Sequence, residues 1–189
     1  KIINVYDQNH LCWNIPLLTT ITYPNAFNAV SSWVPKKIYQ FYLSNSYDEK
    51  SYHPELVFID RRDHRKVINL DFYDVLDKYK FTVIYSEDIP EYQKASFFKR
   101  TRILVNLYGS GGQNIIFCSN NCLNLTIITE NHLSPLHSKF IDSYAWTLNN
   151  AGSYRTAIII GSAEGNRSKN WFPTKIDLVE FENIIKTNL

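Results

Sequence analysis

The sequence is poor in several residues that mark particular protein classes. Its 189 residues include three cysteines, six glycines and no methionine. Three cysteines are too few for a disulfide-stapled secreted domain, and no second ligand pair accompanies them to form a metal site. We therefore expect Cys12, Cys118 and Cys122 to be free thiols, and no metal site. No window approaches the roughly 18 apolar residues of a membrane helix, and no signal peptide opens the chain.

A strong excess of charge is also absent. The formal net charge is +2, with 20% charged and 15% aromatic residues. This composition argues against disorder, and it gives no electrostatic basis for broad binding to nucleic acids or membranes. We expect no nucleic-acid partner and no transmembrane segment in this chain.

The length fits one domain, residues 1–189, with a core that needs neither disulfides nor metal. The chain begins with Lys1 and contains no Met, so we expect it to be part of a longer protein. Residues 1–14 would then be a linker from a missing N-terminal part.

Predicted strands and helices alternate along the chain. We predict strands over residues 15–23, 56–60, 81–85, 103–107, 123–129 and 155–160, and a polar loop over residues 161–170. We predict helices over residues 25–44, 71–79, 91–100, 113–117, 135–150 and 177–186. Such alternation is typical of an α/β fold, here a Rossmann-like parallel sheet with helices on both faces.

Three glycines follow the apolar run at residues 103–107. Gly109, Gly111 and Gly112 allow positive φ and close backbone approach, and a helix start after them has unpaired N–H groups that can bind an anion. A glycine-rich turn between a strand and a helix is also common without any ligand. Spacing alone does not decide between the two interpretations.

A basic cluster follows the strand at residues 56–60. Its members are Arg61, Arg62, Arg65 and Lys66. Ligands of open α/β sheets bind outside the carboxyl ends of the strands, so these cations are candidate anion-binding groups. On composition alone, a solvated loop paired with Asp60 and Asp63 is the favoured alternative.

Taken together, the two motifs resemble glycosyltransferase family 61, the inverting transferases that include O-linked GlcNAc and plant xylan transferases. Members have a strand ending in an Arg, then a further Arg and an Asn, which Arg61, Arg65 and Asn69 match. About 40 residues later they have a strand, the sequence GPHGSGLTN and a Phe, which residues 105–117 resemble. The similarity covers about residues 15–189 and is strongest between 56 and 129.

This resemblance implies a GT-B-type architecture, in which two Rossmann-like domains face each other across a cleft. The chain resembles the C-terminal, donor-binding half. The implied partners are a nucleotide sugar, by default a UDP-sugar, and a glycan or glycoprotein acceptor. The implied reaction is in-line attack with inversion, without an obligatory metal or other cofactor. Its general base usually lies on the N-terminal domain.

The resemblance also assigns residues to roles. Arg61 and Arg65 would neutralise the leaving diphosphate, because a planar bidentate cation suits it better than lysine does. Tyr108 takes the position of the His that precedes GSG in the family and is, with Arg61 and Arg65, a candidate catalytic residue. The remaining donor-binding groups would come from the two motifs and the following strand: Arg62, Asn69, Gly109, Ser110, Gly111, Gly112, Gln113, Asn114 and Asn124.

Several positions depart from the family pattern. Tyr108 replaces a His, so any proton donation by an imidazole is lost or becomes that of a phenol with a much higher pKa. Gly112 and Gln113 replace Leu and Thr, which loosens the loop, and Asn124 stands where an acidic residue often holds the ribose. A non-catalytic sugar-nucleotide or glycan-binding module therefore stays open as an alternative.

A dinucleotide-using enzyme is disfavoured, because no G-x-G-x-x-G follows the first predicted strand with an acidic residue about 20 positions later. The compartment stays open between two predictions. Free cysteines favour the cytoplasm slightly, whereas eukaryotic members of the resembled family lie in the secretory pathway.

Overall fold

The computed structural model describes residues 52–63, 65–130, 155–164 and 173–189. Three sequence predictions lie outside these residues: the strand at 15–23 and the helices at 25–44 and 135–150. The expected linker at residues 1–14 and Cys12 lie outside them as well.

Five strands of the sheet are parallel. They are β1 (Leu56–Asp60), β2 (Thr82–Tyr85), β3 (Ile103–Leu107), β4 (Leu123–Thr129) and β5 (Arg155–Ala163), in the order β2-β1-β3-β4-β5. Strands β1, β3 and β4 are buried along their whole length, which explains why apolar residues predominate on both faces of each strand.

A sixth strand makes the sheet mixed and corrects the prediction of a purely parallel sheet. The two-residue strand β6 (Thr174–Lys175) pairs antiparallel with the end of β5. Residues 164–173 alone join the two strands, which is too short for the crossover connection that a parallel pair needs.

The end of β5 also differs from the sequence prediction, which placed a loop from Gly161 onward. The strand continues to Ala163. A Cβ atom on Gly161 would lie 2.5 Å from Thr174 Cγ2 and 2.6 Å from the Lys175 carbonyl oxygen. The glycine therefore does not end the strand but allows β6 to approach it closely.

Helices cover both faces of the described sheet. On one face, α1 (Phe72–Lys78) and α3 (Leu178–Asn188) enclose a core that includes Phe58 of β1. On the other face, α2 (Glu91–Phe98) and a 3-10 helix (Ser110–Phe117) pack against Val57 and Ile59 of the same strand. Because side chains alternate along β1, one strand contributes to both cores.

An aromatic cluster fixes α1 and α3 on the first face. The rings of Phe58 and Phe72 meet edge to face with centroids 5.2 Å apart, and Phe72 lies 5.3 Å from Phe181. All three side chains are fully buried. Such ring pairs contribute about 0.5–1.5 kcal/mol each beyond the burial of apolar area.

The segment after β3 differs in detail from the predicted loop and helix. Gly111 and Gly112 lie inside the 3-10 helix, and Gly109 is the residue that precedes it. The prediction of a helix only from Gln113 is therefore wrong at its start. A 3-10 turn is tighter than an α-helical turn, and residues without a Cβ atom enter it without steric cost.

The strand order determines where a ligand site is expected. Among the described strands, β1 lies between β2 and β3, and the connections on its two sides cover opposite faces of the sheet. The order in which the strands are added therefore changes direction between β1 and β3. Where the strand order changes direction, a crevice lies outside the carboxyl ends of the two strands. Both sequence motifs begin at this crevice.

Candidate functional site

A cavity of about 720 Å³ opens at the carboxyl ends of β1 and β3. The loop after β1, the start of α2 and the 3-10 helix form its walls. Six of the residues predicted from the sequence line it: Arg61, Arg62, Arg65, Gly111, Gln113 and Asn114. The fold therefore brings the two motifs into one site.

Arg61 and Gly109 are in direct contact. A Cβ atom on residue 109 would lie 2.3 Å from Nη2 of Arg61, so only glycine admits the guanidinium at this place. Gly109 also has φ +151° and ψ −171°, a conformation that is essentially restricted to glycine. Glycine is thus required at residue 109 for two reasons: the backbone conformation before the 3-10 helix, and the space that the Arg61 guanidinium occupies.

The Arg61 side chain is only 16% exposed and incompletely paired. Its Nη1 atom is buried without a hydrogen bond in the described part of the chain, and Asp63 Oδ2 lies 3.7 Å away. Burial, and then the nearby Arg65, lower the pKa of Arg61. A buried guanidinium N–H without an acceptor is a group that a phosphate oxygen would satisfy.

Arg65 is held by Asp63. Its Nε donates to Asp63 Oδ2 at 2.7 Å, its Nη2 contacts the same oxygen, and its backbone N–H donates to Oδ1 at 2.9 Å. These bonds hold the pKa of Asp63 below its usual value. Since Arg61 lies near the same carboxylate, two cations share one negative charge. The sequence left two interpretations of this loop, cations paired with acidic residues or cations that bind an anion. The two are compatible, because the acidic residue neutralises only part of the positive charge.

Arg62 lies at the rim of the cavity. Its side chain is 55% exposed, and its guanidinium carbon lies 4.4 Å from the centre of the Tyr85 ring. Its Nη2 donates to Asp88 Oδ2 at 2.5 Å, and this bond raises the pKa of Arg62. Glu87 lies 3.6 Å from Nη1. These contacts fix Arg62 against the turn that follows β2.

Asp60 anchors the loop that follows β1 and contains Arg61, Arg62 and Arg65, called the arginine loop here. It is 5% exposed and accepts hydrogen bonds from the Arg61 backbone N–H at 2.7 Å and from the Tyr73 hydroxyl at 2.8 Å. Burial, and then the bond to Asp60, raise the pKa of Tyr73. The carboxylate thus holds the start of the arginine loop on α1.

Asn114 connects two walls of the cavity. Its Nδ2 donates to the Gly111 carbonyl oxygen at 2.8 Å within the 3-10 helix and to Ser86 Oγ at 3.1 Å. Ser86 begins the 3-10 turn Ser86–Asp88, which leads into α2. The bond therefore fixes the glycine segment relative to the turn that leads into α2.

Other predicted residues of the glycine motif are not among those that line the cavity. Gly112 is buried, and its N–H donates to the Gly109 carbonyl oxygen at 3.2 Å. Tyr108 is half-buried, its backbone N–H donates to the Ile127 carbonyl oxygen at 2.9 Å, and burial raises its pKa. Ser110 begins the 3-10 helix.

Two residues that were predicted to bind the sugar nucleotide are not part of the cavity lining. The Asn69 side chain bonds to both the backbone N–H and the carbonyl oxygen of Ile176, each at 2.9 Å. Asn124 is fully buried near the amino end of β4, and its Oδ1 accepts from Asn106 Nδ2 at 2.7 Å. Their roles toward a donor stay predictions.

Sequence reasoning missed the wall formed by α2. Lys94 and Glu91 line the cavity and form an ion pair one turn apart, and Ser86 precedes them. Lys94 is only 9% exposed. The signal was its spacing, because Lys94 stands one turn before the buried Phe98 and so belongs to the inner face of the helix.

The described residues contain neither a membrane-spanning helix nor a cluster of metal ligands. None of the helices described is long and apolar enough to cross a membrane. No group of three or more potential His, Cys, Asp or Glu ligands is present in the same residues. Cys118 and Cys122 are buried free thiols, which confirms the prediction for these two cysteines.

Comparison with known proteins identifies the family. The profile of glycosyltransferase 61 matches residues 15–125, more than half of the chain and both motifs of the cavity. A search of curated proteins finds no match. The resemblance between the arginine and glycine motifs and this family is thereby confirmed, and the chain belongs to the glycosyltransferase 61 family.

Proposed function

We propose that the chain is the donor-binding half of a GT-B-type inverting glycosyltransferase. It would transfer a sugar from a nucleotide sugar, by default a UDP-sugar, to a hydroxyl of a glycan or protein acceptor. Family membership supports glycosyltransferase activity. The observation that supports the donor site most directly is the largely buried Arg61 side chain, which lines the cavity, lies against Gly109 and has an unsatisfied Nη1.

The chemistry of a diphosphate fits this cavity. Arg61 and Arg65 provide planar cations, which bind phosphate oxygens bidentately. The first turn of the 3-10 helix provides backbone N–H groups beside Gly111. A nucleoside diphosphate would therefore be held between the arginine loop and the glycine segment, with its charge balanced without an obligatory metal.

In the proposed reaction an acceptor hydroxyl attacks the anomeric carbon from the side opposite the nucleotide. The bond from that carbon to the phosphate oxygen breaks, and its electron pair leaves with the diphosphate. Arg61 and Arg65 stabilise this developing charge. The hydroxyl proton passes to a general base, which the proposed GT-B arrangement assigns to a facing N-terminal domain.

Tyr108 favours a second candidate, a module that binds nucleotide sugars without turnover. Burial raises its pKa, so the phenol stays protonated at neutral pH. It can donate a hydrogen bond to a phosphate, but it transfers a proton less readily than an imidazole of pKa near 6.5.

Calorimetric titration with UDP, GDP, CMP and NAD tests the binding function. We expect UDP to bind and NAD not to bind. Absence of binding by all three sugar-nucleotide products would contradict both candidates. Binding of NAD in preference to UDP would instead indicate a dinucleotide enzyme.

Turnover separates the two candidates. Incubation of a protein that carries both this chain and the proposed N-terminal domain with UDP-sugars and an acceptor, followed by NMR of the anomeric proton, should show a product of inverted configuration. UDP binding without turnover would favour the non-catalytic module. In that case Tyr108→His should restore transfer if the lost imidazole is the cause.

A further inference from the structure

A lysine on the inner face of α2 has no role in the function proposed so far. The Lys94 side chain is 11% exposed, although lysine is almost never buried without a partner. Its neighbours in the sequence, Ala95 and Ser96, are buried too. An apolar residue would fill such a position without the cost of removing an ammonium group from water.

The ion pair with Glu91 does not account for this burial. Glu91 is 73% exposed, so its carboxylate remains well hydrated. The surrounding water weakens the attraction between this carboxylate and the Lys94 ammonium. An exposed carboxylate therefore offsets the burial of the lysine less than a buried partner would.

The position of Lys94 indicates what else could pair with it. It lines the same cavity as Arg61 and Arg65, but from α2 rather than from the loop after β1. The ionisable groups of this lining comprise four cations and four carboxylates, so an anion gains most by taking the place of a carboxylate that is easily released. Arg65 makes several hydrogen bonds with Asp63, whereas Glu91 returns to water readily.

We propose that the Lys94 ammonium is a further phosphate-binding group of this site and leaves Glu91 for a phosphate oxygen of the nucleotide sugar. The inference rests on the proposed donor-binding function. Lys94 and Arg61 would then hold the diphosphate from two sides, and Glu91 would regulate the affinity by competing for the lysine.

The test uses two substitutions that break the same ion pair in the full chain. Lys94→Met removes the ammonium and keeps the length of the side chain, and Glu91→Gln frees the ammonium. In calorimetric titration with UDP, we expect Lys94→Met to weaken binding by roughly tenfold to a hundredfold, as for a lost charged hydrogen bond. We expect Glu91→Gln to tighten binding about two- to fivefold.

The outcomes separate this inference from the proposed function. UDP affinity equal to wild type in both variants would overturn the role of Lys94 and leave donor binding intact. Absence of UDP binding by the wild-type chain would overturn both. If Lys94→Met does not fold, as thermal unfolding would show, Glu91→Gln still decides, because unchanged or weaker binding in that variant contradicts the exchange.

Discussion

The Arg61 guanidinium fills the space that a Cβ atom on residue 109 would need, with Nη2 2.3 Å from that position. Arg61 ends the strand motif and Gly109 begins the glycine motif. The two features that define the family resemblance are therefore one packing arrangement.

Gly109→Ala should disrupt this arrangement. The new methyl group would displace Arg61, and alanine at φ +151° is strained, so we expect unfolding free energy to fall by about 1–3 kcal/mol. Urea denaturation measures this. Gly111→Ala is the matched control, since its Cβ would meet only Ile59 Cγ2 at 3.2 Å, and we expect a smaller loss. Equal losses in the two variants would contradict a special role for Gly109.

Removal of either cavity arginine should weaken nucleotide binding. For Arg61→Ala and Arg65→Ala we expect a loss of roughly 1.5–3 kcal/mol in binding free energy for UDP, the scale of a charged hydrogen bond. Arg102→Ala is the control, because Arg102 is exposed and pairs with Glu55 away from the cavity lining. Unchanged affinity in both cavity variants would show that the arginines only stabilise the loop.

Tyr73→Phe should destabilise the arginine loop from its buried side. The substitution removes the hydroxyl that donates to the buried Asp60 at 2.8 Å and leaves a carboxylate oxygen without that partner. We expect a loss of about 1–3 kcal/mol in unfolding free energy. Tyr92→Phe is the control, since Tyr92 is 64% exposed, and it should leave stability unchanged. An equal effect at both positions would argue against a stabilising role of the hydrogen bond between Tyr73 and Asp60.

Glu182 should make stability depend on acid pH. Its Oε2 accepts from Lys78, Tyr79 and Lys186 at 2.9, 3.0 and 3.1 Å, and these bonds, Lys78 first, hold its pKa at about 2 instead of 4.5. Because the folded-state pKa is the lower one, this stabilisation is present above pH 4.5 and lost as the pH falls toward 2.

The measurement is the difference in urea midpoint between wild type and Glu182→Gln. It should be largest at neutral pH and disappear near pH 2. Glu180→Gln on the same helix is the control and should show no such difference. A midpoint difference that persists unchanged at pH 2 would refute the contribution of the carboxylate charge.

The central strands were predictable because burial on both faces favours short runs in which apolar residues predominate, as in β1 and β3. Strand β6 was not predictable, because two residues give no periodic signal. The extension of β5 through Gly161 was not predictable either, since glycine normally weakens a strand. It is explained by the close approach of Thr174 to Gly161.

The cavity was partly predictable for a topological reason. Parallel strands bring the residues that follow them to one edge, so Arg61 and Gly111 could be placed together from the sequence. Side-chain partners do not follow from topology. An amide bonds equally well to backbone, as Asn69 does with Ile176, and Lys94 was missed because a charged residue on a helix is ordinarily assigned to the solvent side.

The Asn114 bond to Ser86 couples parts of the chain that are distant in sequence. Ser86 leads into the helix of Lys94, and Asn114 belongs to the same short helix as Gly111. A displacement of α2 would therefore pull the glycine segment with it. Substitutions in α2 are thus expected to shift the glycine side of the cavity relative to the arginines that follow β1.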